Sequence, residues 1–148
     1  MKTVLRDLGR FVVFAILAVW LGGLTFYAVI VVPIGTELLG STEQGFVTQQ
    51  VTRQLNLIGV LVLIVLGAVT LHHRKNIPLV AAWCVLLAVQ IGLFIDHAHL
   101  SRLMDTSHRT LLVSNFYDEH RIYLWLTAIQ WATGWFWSWQ VVRLWHPN

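Results

Sequence analysis

Charge is scarce in this chain. Only 11% of its 148 residues are Asp, Glu, Lys or Arg, against about 25% in an ordinary soluble domain. That scarcity excludes a conventional water-facing fold. Cysteine is almost absent as well. The single Cys84 excludes an intrachain disulfide and any paired-cysteine zinc or redox motif, and it reads as a packed thiol in an apolar run. No HExxH signature and no glycine-rich phosphate loop occur. No Ser/His/Asp or Cys/His arrangement stands out, so no enzyme class is indicated and the question of catalysis stays open. The net charge of +3 comes from basic residues that flank apolar stretches. They form no basic stripe, which argues against nucleic acid as a partner. There is neither an internal repeat nor a low-complexity tract.

What the chain does have is long apolar runs. Residues 11–36, 54–71, 76–95 and 122–142 contain no Asp, Glu, Lys or Arg. Each is close to the roughly 20 residues that cross a hydrocarbon layer. The expectation is an all-α, integral membrane four-helix bundle. It would form a single transmembrane domain over 1–148, with spans at about 11–34, 54–72, 77–96 and 121–143. No strand is expected in the body of the fold. The N-terminal basic residues and the run behind them resemble a secretory signal, but the run continues to Pro33, beyond the length of a signal's apolar core. It reads as a retained first span.

The basic residues set an orientation. Lys2, Arg6, Arg10, Arg74, Lys75 and Arg143 fall on one side of such a bundle, and Arg53, Arg102, Arg109 and Arg121 on the other. This bias places both termini in the cytoplasm, in a multi-pass protein of the cytoplasmic (inner) membrane. Local signals divide the chain further. Pro33 and Gly35 mark the end of the first span. Ser41 followed by Gln44 reads as a capping box, with Ser41 as N-cap. The helix it opens would run past Gln49, Arg53 and Asn56 into the second span. Pro78 suits the first turn of the third. Six of the eight tryptophans lie at or after Trp125, which reads as an aromatic belt at the cytoplasmic headgroups.

Polar residues inside such spans need partners. His120, Tyr123, Thr127, Gln130 and Gly134 recur at 3, 4, 3, 4 spacing and share one helix face. At 1.5 Å per residue, Gln130 sits about 15 Å deeper than His120. His97 and Gln90 share a face of the third span, seven residues apart. Asn56 and Gly59 lie near the same mouth on the second. Tyr27 and Thr25 come from the first span, where Gly22 and Gly23 would allow close helix approach. These groups either line one cavity or serve as ordinary interhelical hydrogen-bond partners.

Histidines concentrate at that mouth. Neutral imidazole suits zinc, copper and haem iron. His97 and His99 diverge by about 160° on a regular helix, so His97 with His120 is the better pair. Asp96 and Glu119 would add carboxylate ligands or orient the rings. His99 and His108 read as hydrated interfacial side chains. His72, His73 and His146, beside basic residues, read as headgroup contacts. The run Tyr117-Asp118-Glu119-His120-Arg121 also suits a helix N-terminus.

The segment Trp20-Leu-Gly-Gly-Leu-Thr-Phe-Tyr27, leading to Val32-Pro33, resembles a family of small four-span membrane proteins. Its vertebrate relatives are associated with cisplatin resistance. The same segment is distantly similar to the membrane part of CopD-type copper-resistance proteins. The resemblance covers about residues 16–33 and implies a membrane fold with a hint of metal handling. It implies no role for any particular residue.

Together these features give a preferred expectation. A metal ion (copper or zinc) or small ligand would bind in an outward-facing polar cavity, with His97, His120, Asp96 and Glu119 as metal ligands. Tyr123, Thr127, Gln130, Gln90 and Asn56 would line it. The alternatives are a b-type haem protein using His97 and His120, and a non-catalytic accessory or scaffold subunit. Besides the lipid bilayer, the partners left open are another membrane protein or a second copy of the chain.

Overall fold

The computed structural model describes residues 2–105, 110–111 and 116–145, with side chains described for 3–103 and 120–145. Four helical rods make up the body. The first joins α1 (Lys2–Phe26), a π-helical turn (Tyr27–Val31) and α2 (Val32–Leu39). The others are α3 (Ser41–His72), α4 (Ile77–Arg102) and α5 (Phe116–Trp145). A two-residue antiparallel pair, Met104–Asp105 with Thr110–Leu111, lies in the connection between α4 and α5, outside the body. Three stretches, Thr3–Leu39, Ser41–His72 and Ile77–Arg102, are long and apolar enough to cross a membrane. The 30 residues of α5 give it the length, about 45 Å, but its glutamines and tryptophans leave it the least apolar of the four. The architecture is the all-α helical bundle that the apolar runs predict.

The first rod does not stop at Pro33. Proline lacks the N–H that would bond back to the preceding turn, and its ring crowds that turn. The helix widens instead: the Val32 N–H donates to Tyr27 O, five residues back, and α-geometry resumes through Leu39. The rod ends at Gly40, whose φ of 83° lies where side-chain-bearing residues are strained. Gly40 is the entire connection to α3. The capping box at Ser41 is not formed. Gly40 occupies the N-cap position, with no side-chain cap bond. Gln44 instead donates to Thr48 Oγ1 at 3.3 Å and covers Gly35, where a Cβ would overlap its amide.

From there α3 runs unbroken for 32 residues, about 48 Å, so the polar start and the apolar span are one helix. The Asn76 side chain accepts from Leu79 N at 3.0 Å and caps α4, with Pro78 in its first turn. Because α4 stays regular through Arg102, His97 and His99 point apart; His97 is half-buried and His99 exposed. The next helix begins at Phe116, so Asp118, Glu119 and His120 open it.

The main core lies toward the end that carries both termini. Leu17, Trp20 and Leu21 of α1 meet Leu63 and Leu66 of α3, Leu79 and Leu86 of α4, and Trp137 and Val141 of α5. Trp137 is fully buried and donates to Thr70 Oγ1 at 3.0 Å. It therefore departs from the expected headgroup belt, because its indole N–H has a partner inside the protein. Trp125, Trp135 and Trp139 do face outward. Gly22 and Gly23 approach no neighbour. Close packing occurs instead where Leu21 sits against Gly134.

Candidate functional site

Toward the opposite end the bundle is hollow. A cavity of about 300 Å³ lies between the first rod, α3 and α5, with the end of α4 at its rim. Asn56, His97, His120, Tyr123, Thr127 and Gln130 are among its lining residues. Its walls follow from helical spacing. Ser41, Gln44, Thr48, Thr52 and Asn56 recur every three or four residues along α3 and give one polar stripe. His120, Tyr123, Thr127 and Gln130 give the facing stripe on α5. Leu24, Tyr27, Ala28, Val32 and Thr36 form the wall contributed by the first rod.

The polar groups largely satisfy one another. Tyr27 donates to Thr48 Oγ1 at 3.1 Å. Asn56 and Tyr123, both buried, exchange contacts at 3.2 and 3.4 Å. Gln130 donates to Gln90 Oε1 at 2.8 Å. Thr52 and Thr127 bond back to carbonyls in their own helices. Gln90 itself does not line the cavity. It stands behind Gln130, and a Cβ on Gly59 would come within 2.5 Å of its Oε1. Its Nε2 is buried with no hydrogen-bond partner among the described residues.

The histidines are placed unequally. His97 Nε2 lies 3.0 Å from the Gln49 carbonyl. A carbonyl only accepts, so this nitrogen carries the proton and clips α4 to α3. Ser101 Oγ donates to the His97 carbonyl at 2.7 Å and stands 3.5 Å from Nδ1. His120 lies nearly parallel to the Tyr123 ring, 6° apart in plane with centroids at 6.2 Å, while the His97 ring is 6.4 Å from that of Tyr123. Both imidazoles therefore flank Tyr123 at the mouth. Burial pushes the His120 pKa below its ordinary value, and the Asp96 charge opposes that shift. Asp96 is half-buried and outside the cavity lining.

Among the described residues, no three His, Cys, Asp or Glu side chains gather into a group that could hold a metal ion. The Glu119 and Asp118 side chains, His108 and His146 lie outside the described residues. His72 and His73 are at the far end, packed edge to face at 4.9 Å. Thr25 turns away from the cavity and accepts from Trp131 Nε1 at 2.9 Å. In the upper α3 stripe, Thr48 and Thr52 have no part in the sequence reading, and Gln44 enters it only as the partner of Ser41 in a capping box. The stripe's 4-residue spacing leading down to Asn56 is the signal that marks it.

No protein-family model, curated protein or solved structure matches this chain. Its class is accordingly the one its helices define: a helical-bundle, multi-pass membrane protein. The resemblance over residues 16–33 adds nothing to that statement.

Proposed function

We propose that this protein is an integral membrane binding protein that holds a small uncharged ligand in the cavity between the first rod, α3 and α5. One observation carries the proposal. Polar side chains from all four rods, spread over the sequence from Tyr27 to Gln130, converge on a single hollow that the neighbouring core does not fill. Its volume is at the lower end of the roughly 300–1,000 Å³ of small-molecule sites. Among the described residues that line it, none is Asp, Glu, Lys or Arg. We place the cavity on the outer face of the cytoplasmic membrane, with both termini inside, following the basic residues.

A metal ion finds less support. His97 commits Nε2 to a backbone carbonyl, and the described residues offer no ligand trio. A b-type haem held between His97 and His120 would need a ring nitrogen of each, and the His97 contact already engages its Nε2. The accessory-subunit alternative has no observation of its own.

The test compares detergent-purified wild type with Thr127→Phe, whose ring would fill the cavity. Small molecules are extracted from both and identified by mass spectrometry, with absorption spectra and elemental analysis on the same samples. A stoichiometric organic species in the wild type, lost in a folded Thr127→Phe, is the expected result. Equal recovery from both proteins rules the proposal out. So does an empty protein that no small molecule stabilises. A Soret band or stoichiometric copper or zinc would return the haem or metal alternative.

A further inference from the structure

The way into the cavity indicates what enters it. In its lower half the first rod packs on α5, with Leu21 against Gly134. Above the π-helical turn this changes. The upper segment, α2, packs on α3 and makes no extended contact with α5 among the described residues. The first rod and α5 therefore splay apart where the cavity begins. Ala28 on one side of the gap and Leu124 on the other are both exposed, and both line the cavity. These residues belong to apolar, outward-facing helix surfaces, so the gap opens sideways toward lipid. The cavity also reaches Thr36 and Ser41 at the headgroup end. From Leu24 to Thr36 it extends along about 18 Å of helix. A volume of about 300 Å³ drawn out over that length makes an elongated slot.

Resting on the binding reading above, we propose that the slot admits, from within the bilayer, a single-tailed lipid amphiphile with an uncharged hydrogen-bonding head. The tail would lie along Leu24, Ala28, Leu55 and Leu124. The head would meet the polar groups around Asn56, Tyr123 and His120. An ionised head would meet no Asp, Glu, Lys or Arg among the described lining residues, Asp96 acting on His120 from outside that lining, and burying an unpaired charge is strongly unfavourable. The volume, at the lower end for small-molecule sites, favours one tail over two. Isoprenoid quinones and long-chain alcohols share the required chemistry.

The experiment uses the full chain in lipid nanodiscs and follows tryptophan fluorescence and native mass spectra. The probes are dodecanol, a decyl-tailed benzoquinone, dodecanoate and dodecylammonium. Binding of at least one neutral probe, saturable at one per chain and at least tenfold tighter than either charged probe, is expected; which one binds separates the quinone from the alcohol. Ala28→Trp and Leu124→Trp narrow the gap at exposed positions and should weaken that binding at least tenfold while the helical spectrum is unchanged. The inference is overturned if the charged probes bind as well as the neutral ones, or if both gap variants bind like wild type. It is also overturned if no tailed probe binds; a tail-less molecule co-purifying with the wild type would then leave the cavity reading standing, and its absence would remove both.

Discussion

The two ends of this bundle handle buried polar groups in opposite ways. Near the termini the core between the helices is packed, and the hollow of about 280 Å³ at that end lies outside it, at the turn between α3 and α4 beside Leu144. Leu17, Leu66, Leu79, Leu86 and Val141 close around Trp137, and its indole N–H is matched one to one with Thr70. Near the mouth, polar side chains come in runs on α3 and α5, and the space between them stays open. A membrane interior gives helices no hydrophobic reason to associate, so packing and hydrogen bonds hold them together. The solid end uses packing, with single indole bonds from Trp137 to Thr70 and from Trp83 to the Leu63 carbonyl. The hollow end uses pairs (Gln90 with Gln130, Asn56 with Tyr123) and leaves room beside them. The difference teaches that a polar residue in a span is ambiguous by itself. What separates glue from a site is whether apolar bulk fills the remaining volume.

The sharpest way to break this contrast is to remove bulk from each end. Trp137→Ala should destabilise the protein by about 3–5 kcal/mol, as large-to-small core changes do. Thr127→Ala, beside an existing void, should change stability by less than about 1 kcal/mol. Denaturant unfolding in mixed micelles measures both, and comparable losses would mean that the mouth is as tightly packed as the core. A smaller effect is expected for the glutamines. A double-mutant cycle with Gln90→Leu and Gln130→Leu should give a coupling of about 0.6 kcal/mol, and no more than about 1.7. A coupling near zero would show that Gln130 is held by something other than Gln90.

The smallest effect separates the histidines. Burial is the largest cause lowering both His73 and His120 from 6.5. The secondary causes differ in sign: His72 and Arg10 push His73 further down, whereas Asp96 pulls His120 up. Salt screens charges more than burial. Raising ionic strength should therefore move the His73 midpoint up and the His120 midpoint down, as read by NMR on labelled histidine. Both folded values are depressed, so the unfolded chain takes up protons more readily. The stability each group contributes is present above pH 6.5 and is lost as pH falls through the folded value. Stability that rose on acidification would contradict this sign.

Much of the fold is legible in the sequence because each signal is local. Uncharged runs mark the apolar helices, and a 3–4 spacing marks the wetted face of α5. Pro78 and Asn76 mark the start of α4. Where expectation and structure part, distant partners decide. Ser41 offers a cap, yet the one-residue link at Gly40 takes the N-cap position. Trp137 falls within a cluster typical of interfaces and is drawn inward by Thr70, 67 residues away. His97 has the chemistry of a ligand, but the carbonyl that engages it belongs to Gln49, on another helix. Composition also hides α5, whose tryptophans dilute its apolar character while its length remains.

The wide turn at Tyr27–Val31 fixes which residues meet the slot. One additional residue in a helical turn rotates everything after it by about 100°. In an uninterrupted α-helix, the positions in phase with Leu24 and Ala28 would be 31 and 35. The insertion advances that register by one, so Val32 and Thr36 complete the wall while Gly35 is left to take the Gln44 amide. Deleting a single residue from this turn would leave composition and hydropathy almost untouched, yet it would swing the upper wall a quarter-turn out of alignment.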